Sequence, residues 1–520
     1  MTLPSPDAWP VDDPVSDPSV DLLRERARST PEATAVVDAD EGESRTYAEL
    51  DARVSATATA LGERAGVGDR VAFLLGTRPA FAELYFAVGR LGASAVALNV
   101  ELPADRLGEQ ADRAEVAALV CESATEGLAT EVAPDGVPIV SVDATSSTAV
   151  DRLERSGSSD RDPVERPLDA ERLVMFTSGT AGEPKGVRLT RRNLVASAVG
   201  SAHRLGVEDG DRWLVCLPTY HMGGLAPLVR STLYGTTAVI QREFDAAATA
   251  RVLDESAATA VSLVPTMLAR LLDAGWSPVD SLRFVLLGGA PASRELIERC
   301  ADRGVPACPT YGMTETASQV ATATPQEARS YPDTVGKPLR GTTVSALDDA
   351  GDPVDAGETG ELVVSGPTVT PGYLDDGQTA SAFTERGFHT GDLGYADGAG
   401  RLWVVGRVDD AVVTGGENVH PARVADAIRE IDGVADVAVV GLPDEEWGER
   451  VAALVVAGGP SPAGAALSPE RVRAVMRERL SDFEVPKTVA FADELPRTHS
   501  GTVDRDAVRE RLEAARETAG

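Results

Sequence analysis

Lysine is nearly missing from this chain. Of 49 basic residues in 520, only Lys185, Lys337 and Lys487 are lysine, and 82 acidic residues bring the formal net charge to −33. Nucleic acid and anionic membranes call for dense positive patches, so both are excluded as the main partner. Small anionic ligands stay admissible, because they need only a local nest of donors. An acid-rich, lysine-poor surface suits concentrated salt, where screening removes carboxylate self-repulsion. A halophilic cytoplasm is the expected home. Cysteine is also scarce: Cys121, Cys216, Cys300 and Cys308 make no disulfide framework and no Cys-x-x-Cys pair. The histidines His203, His221, His389, His420 and His499 lie far apart, which argues against a zinc site. At 4% aromatic residues the composition gives no sign of an aryl ligand. The opening MTLPSPDAWPVDDP lacks the pattern of a secretory leader. No apolar run reaches the ~18 residues of a membrane span, so a cytoplasmic protein is expected.

What is present is a globular chain with 43% hydrophobic residues and a length that calls for more than one domain. Short apolar runs recur at Val71–Leu75, Ala95–Leu98, Leu173–Phe176, Trp213–Leu217, Ala260–Val264 and Phe284–Leu287, separated by helical patterns. This alternation predicts α/β architecture with parallel sheets, whose ligands sit at the carboxyl ends of the strands. Residues 143–170 are polar and Ser-rich and read as an exposed connection. Between Thr342 and Val405 the texture turns to short β segments, the β-rich end of a large multi-layer N-terminal domain over 1–408. Beyond it, Val437–Val440, Val451–Val456 and a final helix predict a small α+β domain over 409–520.

The strongest local signal is Thr177-Ser178-Gly179-Thr180-Ala181-Gly182-Glu183-Pro184-Lys185-Gly186, directly after a buried strand. Glycines let backbone N–H groups converge on an anion, hydroxyls add donors, and Lys185 adds a cation. The spacing is not that of a Walker A loop, since Gly186 follows Lys185. A phosphate-gripping loop is the reading.

This loop resembles the phosphate-binding signature of the adenylate-forming superfamily, which contains acyl- and aryl-CoA ligases, luciferases and peptide-synthetase adenylation domains. Three more signatures follow in order: Tyr311-Gly312-Met313-Thr314-Glu315-Thr316, His389-Thr390-Gly391-Asp392 and Gly406-Arg407-Val408-Asp409-Asp410. The resemblance spans Pro31 to Arg505. It implies ATP, Mg²⁺ and coenzyme A as cofactors and a carboxylic acid as substrate. The carboxylate attacks the α-phosphate of ATP to give an acyl-adenylate and pyrophosphate, and a thiol then displaces AMP. Two anions must meet in the first step, so fixed donors, a cation and a metal ion are needed.

By the same resemblance, Thr177, Ser178, Gly179, Thr180, Gly182 and Lys185 grip the β/γ-phosphates. Thr314 contacts the α-phosphate and Glu315 helps hold Mg²⁺. Asp392 accepts hydrogen bonds from the ribose hydroxyls, and Arg407 adds a ribose or phosphate contact. Gly289, Ala290 and Pro291 lie against the adenine, beside Tyr311, Gly312 and Met313. Asp409 matches the hinge about which a mobile C-terminal lid swings, with ATP and acid in the cleft. Gly415, Gly416 and Glu417 resemble the loop lining the pantetheine tunnel. A homodimer is compatible with the sequence.

One position departs from the pattern. The family's last motif, Pro-x-Thr-x-x-Gly-Lys, brings a lysine to the substrate carboxylate and α-phosphate. Here Pro496-Arg497-Thr498-His499-Ser500-Gly501-Thr502 ends in threonine, with Arg505 and Lys487 nearby in sequence.

Pocket walls set the acid. The segments Pro218-Thr219-Tyr220-His221-Met222-Gly223-Gly224, Gly288-Gly289-Ala290-Pro291 and Thr316-Ala317-Ser318-Gln319 are most similar to the 2-succinylbenzoate–CoA ligases of menaquinone synthesis. That resemblance puts His221 and Gly288 at an aromatic pocket, with Ser318 and Gln319 as donors to an aryl diacid. The alternatives are a benzoate-type or medium-chain acyl-CoA ligase, an adenylation enzyme loading a carrier protein, and a non-catalytic nucleotide-binding relative.

Overall fold

The computed structural model describes residues 21–155, 161–177, 184–410, 412–415, 417–419, 421–444, 447–458, 467–497 and 503–517. The chain forms two compact units, Met1–Val344 with Val364–Phe388, and Ser345–Val363 with His389–Gly520. Residues 345–363 and 389–408, assigned by sequence to the N-terminal domain, thus group with the C-terminal part. Pairing explains part of this, because Gly387–Ala396 runs antiparallel to Leu402–Arg407 and keeps that ribbon together.

The first unit holds two large sheets. One has nine strands, of which six pair in parallel: Ala307–Met313, Phe284–Leu287, Ala260–Leu263, Arg212–Val215, Thr237–Ile240 and Thr34–Asp38. The other has eight strands and is parallel from Glu171–Thr177 through Ser94–Ala97, Arg70–Leu74 and Ala118–Cys121. The strands Ser94–Ala97, Ala118–Cys121, Ala260–Leu263 and Phe284–Leu287 are buried at every position. Parallel sheets covered on both faces by helices demand such continuous apolar runs, which is why they stood out in the sequence. The stretch 143–170 is less uniform than its composition suggests. It contributes the edge strand Asp151–Arg152, and Val150 and Leu153 beside it are buried.

Helix starts follow local chemistry. The Thr190 hydroxyl accepts from the Asn193 N–H while the Asn193 side chain accepts from Thr190 N–H, a reciprocal cap on Arg191–Leu205. The Asn193 amide then donates to the carbonyls of Pro367 and Val369.

In the second unit, Val434–Asp444 and Gly448–Ala457 form a long antiparallel hairpin, with Thr488–Ala492 parallel beside it. Alternation along the strand builds two cores. Val437 and Val439 pack with Val424, Ile428, Val472 and Met476. Ala438, Val440 and Leu442 face the other way and pack with Val508 and Leu512, which anchors the last helix, Arg505–Glu517.

Candidate active site

The phosphate-loop signature lies between two antiparallel strands. Thr177 ends one, Lys185 begins the other, and the two residues are register partners. Ser178, Gly179, Thr180 and Gly182 lie outside the described residues, as do Gly416 and Thr502. The Lys185 ammonium rests over the Tyr373 ring, 5.3 Å from its centroid. The Tyr373 hydroxyl donates to Oε1 of Glu315 at 3.1 Å. Two motifs more than a hundred residues apart therefore meet through one buried tyrosine.

Glu315 owes its position to a tight backbone passage. The strand Ala307–Met313 gives way to the single turn Thr314–Thr316, and Ala317 and Ser318 then adopt left-handed φ values of 51° and 109°. The returning strand crosses so close that a Cβ on Gly312 would lie 1.7 Å from the Ser318 carbonyl oxygen. Only glycine fits there. The peptide N–H of Thr370 donates to the Glu315 carbonyl at 2.7 Å and fixes the turn from outside. Tyr311 and Met313 flank Gly312 on the same strand.

Gly288, Gly289, Ala290 and Pro291 follow the parallel strand Phe284–Leu287 at its carboxyl end. Gly289 has φ +80°, and a Cβ on Gly288 would meet Thr310 at 2.8 Å. His221 caps the helix Met222–Tyr234 through its backbone, its carbonyl accepting from Gly224 and Leu225 N–H. Its ring meets Tyr220 edge to face at 5.0 Å. Burial pushes the His221 pKa below the usual histidine value.

In the second unit, Asp392 and Arg407 are register partners on adjacent strands, and Arg407 Nη1 donates to Asp392 Oδ1 at 3.0 Å. His389 serves its loop: its Nδ1 lies 2.8 Å from Glu361, whose other oxygen accepts from Gly391 N–H at 3.1 Å. Asp409 lies in the turn Val408–Asp410, with its side chain outside the described set. Glu417 is exposed and pairs in register with Thr414. Gly415, at φ +61°, sits against Trp447, where a Cβ would be 2.6 Å from the indole. Lys487 rests over that indole, 3.9 Å from the ring centroid.

Residues 23–374 match the AMP-binding enzyme model, and 423–502 match the AMP-binding enzyme C-terminal domain. The chain belongs to the AMP-binding enzyme family. A 2-succinylbenzoate–CoA ligase of Bacillus mycoides (strain KBAB4) is 35% identical over 497 residues, 94% of this chain and 98% of that protein. The o-succinylbenzoate CoA synthetase of Bacillus subtilis, solved with its acyl-adenylate intermediate, superposes with a TM-score of 0.84 at 33% identity over 94% of this chain and 98% of that one. The same enzyme with ATP and a magnesium ion gives 0.83 at 32%, covering 95% and 99%. An amide bond synthetase from Marinactinospora thermotolerans gives 0.86 at 29%, covering 95% and 100%. Backbone overlap therefore does not separate the family's chemistries.

Within this AMP-binding enzyme, sequence reasoning missed two residues. Tyr373 had no signal beyond the Pro371-Gly372-Tyr373 turn, because its partner Glu315 is 58 positions away. Arg230 is the other. It is 1% exposed, its Nη2 donates to the Ser318 hydroxyl at 3.2 Å, and its guanidinium stacks 5.3 Å from the Trp213 ring. Among the described residues no carboxylate pairs with it, and burial lowers its pKa to about 10. Being the one charged residue in the helix Met222–Tyr234 was its one sequence cue. Gln319 turns into the core at 1% exposure, and its amide donates to Thr322 at 2.6 Å. Among the described residues its Oε1 lacks a hydrogen-bond partner.

Proposed function

We propose that this protein is an ATP-dependent acid–CoA ligase that converts 2-succinylbenzoate to its CoA thioester through an acyl-adenylate, in menaquinone biosynthesis. Family membership supports the adenylation chemistry, and identity to the 2-succinylbenzoate ligases supports the acid. The observation that carries the diacid is Arg230. A buried guanidinium with no carboxylate partner among the described residues is costly, and a second carboxylate on the substrate would offset that cost. Ser318, held by Arg230, stands in the same substrate-facing segment.

Lys185, with Thr177 and the loop between them, binds the β/γ-phosphates, and Thr314 the α-phosphate. Asp392 and Arg407 hold the ribose, and Gly288–Pro291 the adenine. His221 presents a neutral ring to the aromatic portion of the acid. Gly415 and Glu417 lie on the path of the pantetheine arm, and Asp409 is the hinge.

Magnesium fits the donor set. It prefers oxygen ligands and is usually bound by one or two carboxylates plus substrate phosphates. Among the described residues no group of three or more His, Cys, Asp or Glu could hold a metal alone, and Glu315 offers a carboxylate at the phosphate end. Glu315, oriented by the Tyr373 hydroxyl, would hold the ion, which would supply positive charge to the phosphates. Among the described residues no helix is long and apolar enough to cross a membrane, in keeping with a cytoplasmic enzyme; the acidic surface supports a halophilic one.

The test is thioester formation in multimolar KCl with ATP, Mg²⁺, CoA and a panel of 2-succinylbenzoate, benzoate and octanoate. A preference for 2-succinylbenzoate of about 100-fold in kcat/KM is expected. Arg230→Met should erase most of the preference over benzoate. Equal use of benzoate by the parent would overturn the assignment of the acid and leave the ligase chemistry standing.

A further inference from the structure

The net charge of the chain is −33, yet one cavity in the first unit is walled mainly by arginine. We propose that this cavity binds one small oxyanion, a phosphate or a carboxylate, at a place separate from the candidate active site.

The cavity measures about 60 Å³ and lies where the end of the helix Pro79–Arg90 meets the start of the helix Arg191–Leu205 and the segment 164–172. One water needs about 10–15 Å³ of such space, so roughly four oxygen-sized groups fit. Arg90, Arg166, Arg172 and Arg191 line it, against the two carboxylates of Asp21 and Glu171. Both carboxylates are already engaged. Asp21 ion-pairs with Arg90 at 2.7 Å, and Glu171 with Arg70 and Arg188 at 2.7 and 2.9 Å. Among the described residues, Nη1 of Arg172 and Nε of Arg166 are buried with no hydrogen-bond partner. Buried donors of this kind are costly to leave unmet.

The arginines are fixed in place. Nη2 of Arg172 donates to the Tyr85 carbonyl, and its guanidinium lies 4.0 Å from the centroid of the Tyr85 ring. Nη2 of Arg191 donates to the Arg166 carbonyl at 3.0 Å, which ties two walls of the cavity together. Burial disfavours the charged form of Arg191 and the Arg172 charge disfavours it further, with Asp21 and Tyr85 acting the other way. An oxyanion in the cavity relieves that repulsion. The planar fork of a guanidinium also matches paired carboxylate or phosphate oxygens.

Strand geometry separates this place from the phosphate-loop signature. Glu171 and Thr190 are register partners at one end of the two strands that carry the signature, and Thr177 and Lys185 at the other. A rise of about 3.3 Å per residue over Glu171–Thr177 puts the two ends about 20 Å apart.

Equilibrium dialysis of the whole protein with radiolabelled inorganic phosphate, repeated with radiolabelled acetate at the same ionic strength in KCl, reads binding directly and shows which oxyanion is preferred. Saturable binding at one site is expected in the parent and in Lys185→Met, which removes the cation of the loop signature. Arg172→Met should weaken it about 10-fold or more. Arg166→Met, at a half-buried side chain, should weaken it too, and carries the test if Arg172→Met fails to fold. Binding that disappears in Lys185→Met and survives both arginine substitutions would put the anion in the phosphate loop and overturn the proposal. Absence of saturable binding by either oxyanion to Lys185→Met would overturn it as well.

Discussion

Gly312→Ala tests whether the backbone passage behind Glu315 sets the rate of adenylation. The added Cβ would start 1.7 Å from the Ser318 carbonyl oxygen, and real contacts of this kind stay above 3.0 Å. The strands must therefore part by 1.3 Å (3.0 − 1.7) at the point where they launch Thr314 and Glu315. The obstacle is backbone, so no side chain can swing aside. Overpacking of this kind costs about 1–3 kcal/mol. A displacement near 1 Å at a catalytic group costs about 100-fold in rate. Denaturant unfolding and pyrophosphate exchange would read the two effects separately. Gly127→Ala is the control, because nothing lies within 4 Å of the added methyl in the helix Glu126–Val132. It should stabilise by about 0.5–1 kcal/mol and leave exchange alone. A Gly312→Ala enzyme that exchanges at the parent rate, whatever its stability, would refute the link between the passage and the chemistry.

On the proposed reading, Asp392→Asn removes the charge that pairs Arg407 and weakens acceptance from ribose. It should raise KM for ATP roughly 10- to 100-fold with KM for the acid little changed; parallel rises in both would point to a folding defect. Tyr373→Phe keeps the ring under Lys185 but drops the hydrogen bond to Glu315. About 1 kcal/mol of stability should go and the Mg²⁺ requirement of adenylation should rise; an unchanged Mg²⁺ titration would mean that Glu315 needs no such support. His221 has a folded-state pKa lowered by burial, so the unfolded chain takes up its proton first. Its contribution to stability is complete above the usual histidine range, about pH 6.5, and declines as pH falls below it. His221→Asn should therefore lose less stability than the parent between about pH 6.5 and 5, read by thermal melts in constant KCl.

Much of the fold was legible because parallel strands buried on both faces cannot hide their composition. Phe284–Leu287 is four apolar residues followed by Gly288-Gly289, and it is a buried strand ending at a glycine turn. The site was legible only where chemistry is local, as in the turn that bears Thr314 and Glu315. Tyr373 and Arg230 were not, because their importance lies in partners far away in sequence, Glu315 for Tyr373 and Trp213 and Ser318 for Arg230. The reason for Gly312 was equally hidden. It depends on left-handed φ values at Ala317 and Ser318, residues with no compositional mark of that conformation. The ribbon over 389–408 is held together by a strand pairing, Asp392 with Arg407, which their spacing does not announce.

Two of the three lysines in the chain rest over aromatic rings, Lys185 over Tyr373 and Lys487 over Trp447. Attraction between a cation and a ring face acts at contact distance, whereas exposed ion pairs fade as the Debye length shrinks toward ~3 Å at molar salt. The seats of these two ammonium groups should thus be insensitive to ionic strength while surface Arg–carboxylate pairs loosen around them. A protein that keeps so few lysines has put two of them where added salt does least to move them.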